Sequence, residues 1–138
     1  MTDRRLNILL VDDDEIDVMN VRRAFEKRKI NNTLFFAGDG LKALEVLRDG
    51  TIPRQRRLVL LDINMPRMNG LEFLRELRAD RELRTTPVVV LTTSNEERDR
   101  IEAYDFNVAG YLLKPVRFAS FIDLIDTLHR YWTLAELP

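Results

Sequence analysis

The sequence contains no cysteine. That excludes disulfides, thiolate metal sites and a cysteine nucleophile, and it fits a reducing compartment. Glycine and proline number only five each. A net charge of −1 gives no global field that favours nucleic acid. Long apolar runs are missing too. The first one, Leu6–Val11, is short and is followed at once by three acids, which excludes a signal peptide or a membrane span. A cytoplasmic protein is expected. What is present, 45% hydrophobic and 33% charged residues in a chain of 138, suits one compact domain. A chain of this length buries roughly two-thirds of its unfolded surface, so no covalent staple is required.

Apolar runs alternate with amphipathic stretches. Strands are expected at Leu6–Val11, Thr33–Ala37, Leu58–Leu61, Val88–Leu91 and Ala109–Leu113. Between and after them, helical spacing of apolar residues marks Glu15–Lys29, the region of Leu41, Leu44 and Leu47, Leu71–Leu77, Glu96–Tyr104 and Phe118–Tyr131. Ser94 and Glu97 stand at capping-box spacing before the fourth helix. Three strands read as unbroken apolar runs, the pattern of a parallel sheet covered on both faces. The fold class is therefore α/β. In such sheets function gathers beyond the carboxyl ends of the strands.

Those ends are polar where the strands are not. Asp12, Asp13 and Asp14 follow the first strand, Asp62 the third, Thr92 and Thr93 the fourth, and Lys114 with Pro115 the fifth. Two carboxylates about 4 Å apart repel by roughly 4 kcal/mol at an effective dielectric near 20, so clustered acids take up protons or recruit a cation. Oxygen donors without histidine or cysteine suit Mg²⁺, with a backbone carbonyl near Asp62 as one more ligand. Acids, a divalent ion, a lysine and a hydroxyl make a site for phosphoryl chemistry with an aspartate nucleophile. Taken singly, each motif has a plainer reading: Asp12–Asp14 as a helix cap, Asp62 as a turn acid, Lys114-Pro115 as a loop. Their joint occurrence after four strands favours the site.

"ILLVDDDEID", "LLDINMPRMNG", "PVVVLTTS" and "GYLLKPV", in that order, resemble the receiver domain of two-component response regulators from Leu6 to about Tyr131. The resemblance implies a flavodoxin-like (βα)5 fold, strand order 2-1-3-4-5. It implies that Asp62 accepts a phosphoryl group from a sensor histidine kinase. Asp13 and Asp62 would hold Mg²⁺ with the Asn64 carbonyl, and Asp12 largely through water. Thr92 and Lys114 would contact the phosphoryl oxygens. Tyr111 matches the family's aromatic switch beside Thr92, and the Lys114-Pro115 bond is expected to be cis. Thr93, Ser94 and Asn64 border the site and are expected to tune loss of the phosphate. The protein would be a phosphoacceptor rather than an enzyme with a turned-over substrate. "RDGTIPRQRR", "VVVLTTSNEERD" and "YWTLAELP" are similar to the regulators partnered with bacterial and cyanobacterial phytochromes, which implies a light-sensing kinase as donor.

Residues 1–138 are expected to form one receiver domain, core about 6–131, with a tail at 132–138 and no DNA-binding output domain. Leu128, Tyr131, Trp132, Leu134 and Leu137 extend apolar surface at that end. They are expected either to pack on their own subunit or to join helix four, strand five and helix five in a homodimer. Arg54, Arg56 and Arg57 read as a solvated basic loop, and nucleic-acid binding is not expected. His129, the one histidine, is expected on the surface of the last helix. Met65 and Met68 are assigned to packing. A haloacid-dehalogenase-like phosphatase using Asp12 is the alternative, but Ile16 stands where its motif carries Thr or Val, and Asp62 would be left without a role. A flavin module would need a phosphate loop where three acids stand.

Overall fold

The computed structural model describes residues 4–138; residues 1–3 of the expected domain lie outside the described residues. Ten elements alternate: β1 (Asn7–Val11), α1 (Glu15–Lys27), β2 (Thr33–Ala37), α2 (Gly40–Arg48), β3 (Arg57–Leu61), α3 (Gly70–Ala79), β4 (Val88–Thr92), α4 (Glu97–Asp105), β5 (Gly110–Leu113) and α5 (Phe118–Leu134). All strand pairs are parallel, in the order β2-β1-β3-β4-β5. This is the flavodoxin-like architecture expected from the sequence.

Period-two alternation splits the strand side chains between two cores. Leu9, Val11, Val59, Leu61, Val88 and Val90 face one side and pack with α2 and α3 residues such as Phe73, Leu74 and Leu77. Ile8, Leu10, Leu58, Leu60, Val89 and Leu91 face the other and pack with α1 and α5. Both faces of β1, β3 and β4 are thus dry, which is why those strands read as unbroken apolar runs. Each fully buried leucine contributes about 1.5–3 kcal/mol relative to exposure.

The chain departs from its sequence reading at several edges. Arg57 is not in a solvated loop: it opens β3, is buried, and its guanidinium donates to the carbonyls of Pro53, Leu47 and Ile52 at 3.0, 3.0 and 2.8 Å. Arg56 donates to the carbonyls of Trp132 and Ala135 at 3.0 and 3.2 Å. Arg4 Nε donates to Thr133 O at 3.0 Å. The helix expected to stop at Tyr131 runs on to Leu134, because these two guanidinium groups satisfy its last carbonyls. Trp132 is buried in the α1/α5 core and Leu137 packs against it, whereas Tyr131 and Leu134 remain 64% and 80% exposed. His129 is half-buried, its Nδ1 3.0 Å from Asn32 Nδ2. At α4 the cap is Glu96 with no side-chain hydrogen bond, so no Ser94–Glu97 capping box forms. Ser94 Oγ donates instead to the buried Asp99 at 2.7 Å. No helix among the described residues is long and apolar enough to cross a membrane.

Candidate functional site

Strand register brings the polar exits together. Val11 pairs with Leu61, so Asp12 and Asp62 stand side by side one residue further on, and Asp62 N donates to Val11 O at 2.9 Å. Thr92 pairs with Leu113, and Lys114 N donates to Thr92 O at 2.8 Å. The loop after β3 is held by α3. Asn69 caps that helix in a reciprocal capping box with Glu72. Gly70 N donates to Ile63 O at 2.9 Å, against the backbone of the site. A Cβ on Gly70 would lie 2.5 Å from Asp62 O and 2.8 Å from Ile63 Cα, so this close approach requires glycine.

Asp62 is 7% exposed and Thr92 fully buried. Thr92 Oγ1 donates to Asp62 Oδ1 at 2.7 Å and accepts from Ser94 N at 3.2 Å. The Tyr111 hydroxyl donates to Ser94 O at 2.9 Å. A hydrogen-bonded path therefore runs from the Asp62 carboxylate through Thr92 and Ser94 to Tyr111. Asn64 N lies 3.4 Å from Asp62 Oδ1. Lys114 Nζ donates to Asp17, Asp12 and Asp62 at 2.6, 2.8 and 3.3 Å. Beside these groups a polar cleft lined by Asn64, Thr93, Ser94 and Asn95 opens to solvent.

Asp12, Asp13 and Asp62 each offer a carboxylate oxygen within 4.8 Å of one another, and Asp13 is exposed. Lys114 pairs with Asp12, Asp62 and Asp17, and Asp13 adds a further carboxylate to the cluster, so the acids outnumber the one ammonium. The excess negative charge and the all-oxygen donor set fit a hard divalent cation. Asp14 does not join them: its side chain accepts from Ile16 N and caps α1, the plainer reading for that acid.

Burial pushes the Asp12 carboxyl up to about 6 from 3.8. The Lys114 hydrogen bond and the Asp14 N–H oppose the shift, and the nearby Asp62 charge adds to it. Burial alone would lower Lys114, but its hydrogen bonds to Asp12 and Asp17 and the charges of Asp12 and Asp62 outweigh that and hold it above its ordinary value. Between 3.8 and about 6 the folded chain binds more protons at Asp12 than the unfolded chain. Without a cation this group therefore stabilises the fold as pH falls through that window, and the contribution is lost as pH rises through 6. A divalent cation must displace the same proton. Its affinity is expected to fall about tenfold per pH unit below about 6, checked by Mg²⁺ titration calorimetry at about pH 7.5 and about pH 5. Equal affinities would contradict the assignment of Asp12.

Residues 8–126 match the model of the response regulator receiver domain. The chain belongs to this family. The receiver is 37% identical over 127 residues to the probable methanogenesis regulatory protein FilR2 of Methanothrix harundinacea, covering 91% of this chain and 82% of that one. It is 34% identical over 128 residues to the response regulator Rcp1 of Synechocystis, covering 91% and 87%. In structure it is similar to the phosphorylated cyanobacterial phytochrome response regulator RcpA, with a TM-score of 0.87, 30% identity, and 97% and 99% of the two chains covered. It is also similar to Mn²⁺-bound Rcp1, with a TM-score of 0.81, 33% identity and 95% and 97% covered.

The receiver brings together Asp12, Asp13, Asp62, Thr92 and Lys114, as the sequence led one to expect. One expectation fails: no peptide bond is cis among the described residues, so the Lys114-Pro115 bond is trans. Before proline the two isomers differ by only about 0.5–1 kcal/mol in favour of trans. With the bond trans, Lys114 already reaches three carboxylates, so no contact of its side chain demands the cis form. Sequence reasoning missed Asp17 as a partner of Lys114. No residue pattern marked it, because Asp17 is one of two acids in the first turn of α1 and Lys114 lies 97 residues away.

Proposed function

We propose that this receiver accepts a phosphoryl group on Asp62 from the phosphohistidine of a sensor kinase in the cytoplasm, with a phytochrome-type kinase as donor. The observation that carries the reading is the buried Asp62 carboxylate, hydrogen-bonded to Thr92 and ion-paired with Lys114. In the transfer the P–N bond to imidazole breaks, its electron pair stays on the ring nitrogen, and an Asp62 carboxylate oxygen forms the new P–O bond. Thr92 and Lys114 then donate to the phosphoryl oxygens. Asp13 and Asp62, the Asn64 carbonyl, and Asp12 through water would hold Mg²⁺, which supplies positive charge against the negative charge of the phosphoryl group. Water later attacks the aspartyl phosphate, so the chain catalyses only its own loading and slow unloading. The donor assignment is supported by similarity to the cyanobacterial phytochrome response regulator RcpA.

The output follows the hydrogen-bonded path from Asp62. A phosphoryl group adds about −1.5 to −2 charge and draws on the Thr92 hydroxyl. Ser94 and the Tyr111 hydroxyl respond because they are bonded in sequence to Thr92. Beryllofluoride with Mg²⁺ is expected to shift the Tyr111 ring resonances of the wild type and to leave those of Asp62→Asn in place. Equal shifts in both would contradict the switch.

The signal would leave through a homodimer formed by α4, β5, α5 and the chain end. Ile101, Tyr104, Leu113, Val116, Tyr131 and Leu134 are exposed on or beside these elements. Truncation before Trp132 would open the core, so the cleaner probe is the double substitution Tyr131→Glu with Leu134→Glu. Light scattering is expected to show a dimer for wild type and a monomer for the variant, and an unchanged mass would count against this face.

A further inference from the structure

The Lys114 ammonium has three N–H donors, and three carboxylates already occupy them. Its contact with Asp17 at 2.6 Å is the shortest and its contact with Asp62 at 3.3 Å the longest. Asp17 belongs to neither the phosphoacceptor nor the acid cluster that fits a cation. It sits in the first turn of α1, where the helix dipole favours a carboxylate, and the Asp14 cap fixes that turn. The lysine side chain is 7% exposed and that of Asp17 23%, so the pair is only partly screened by water.

A phosphoryl group on Asp62 brings new acceptor oxygens to an ammonium with no free donor. Lys114 must exchange an existing bond to serve it. Asp12 clusters with Asp62 at the strand edge, whereas Asp17 lies outside that carboxylate cluster, so its bond is the one that draws the ammonium to a group apart from the phosphoacceptor.

We propose that Asp17 is a positioning residue that competes with the phosphoryl group for the Lys114 ammonium and thereby sets how tightly the site holds phosphate. The inference rests on the phosphoacceptor reading of Asp62. Removing the Asp17 carboxylate frees one Lys114 donor for the phosphoryl oxygens on Asp62.

The test is the affinity of the full chain for beryllofluoride at saturating Mg²⁺ and neutral pH. Asp17→Asn is expected to bind about tenfold more tightly than wild type, the size of effect expected from losing one charged hydrogen bond. Asp17→Glu, which keeps the charge, is expected within about twofold of wild type on the same grounds. In a Lys114→Met background the Asp17→Asn change is expected to shrink below about twofold, because no ammonium remains to be released. Thermal melting of each variant confirms that it is folded. Unchanged or weaker binding by folded Asp17→Asn would overturn the inference while leaving the phosphoacceptor reading intact. Equal tightening with and without Lys114 would also overturn it, since the effect would then be bulk charge. Absence of saturable beryllofluoride binding in wild type would overturn the phosphoacceptor reading, and this inference with it.

Discussion

Gly70→Ala is expected to cost about 3 kcal/mol of stability and about a hundredfold in the rate of phosphoryl uptake at Asp62. The new methyl group would meet Asp62 O at 2.5 Å and Ile63 Cα at 2.8 Å, both backbone atoms that cannot rotate away. Either α3 retreats or the loop carrying Asp62 moves. Retreat of α3 would loosen Phe73, Leu74 and Leu77, all fully buried in the core on that face. Movement of the loop would stretch the Thr92–Asp62 hydrogen bond of 2.7 Å. A misplacement of about 1 Å at a reacting group is enough for a loss of about a hundredfold. Gly110→Ala is the control: a Cβ there has nothing within 4 Å, so stability is expected to stay within about 1 kcal/mol of wild type. Urea denaturation and acetyl phosphate labelling of both variants check the pair, and similar behaviour of the two would contradict the close-approach argument.

Lys114→Met is expected to lower phosphoryl uptake by about 10²–10³-fold, the usual cost of removing one donor aimed at developing negative charge. Its effect on stability separates it from a simple loss of reactivity. The Lys114 side chain is 7% exposed and ion-paired with three acids, and removing one partner of a buried pair costs about 3–5 kcal/mol. The sign with pH follows from the groups left behind. In wild type the raised Lys114 contributes stability that is complete below its unfolded value of 10.5 and is lost only as pH rises through its still higher folded value. The whole contribution is therefore missing from the variant at neutral pH. Asp12, already pushed up to about 6 by burial, loses the hydrogen bond and the charge that pulled it down. Its carboxyl then rises further, and the variant is expected to regain stability as pH falls from 7 toward 5. Denaturation midpoints across that range check this, and a midpoint independent of pH would contradict the electrostatic account.

Much of this was legible in the sequence because strands covered on both faces leave a strong signature. Val88–Leu91 and Leu58–Leu61 could hardly be anything but central strands, and the polar residues after them had to share one edge. What could not be read were contacts whose partner is a backbone carbonyl or a residue far along the chain. Arg57 seals a turn by donating to three carbonyls, which carry no residue identity. Arg56 and Arg4 hold the end of α5 across separations of 76 and 129 residues. Asp17 falls inside the expected first helix, Glu15–Lys29, and its partner Lys114 lies 97 residues along the chain. The isomer of the Lys114-Pro115 bond was beyond reach for a different reason, since a preference of about 0.5–1 kcal/mol is too small to read from residue types.

The claim on which the rest depends is that Asp62 carries the phosphate. Incubation of the chain with acetyl phosphate and Mg²⁺, followed by intact mass measurement, tests it most directly. The account expects one added phosphoryl group on wild type and none on Asp62→Asn. An equal gain in both proteins, or a gain lost in Asp12→Asn but kept in Asp62→Asn, would contradict it.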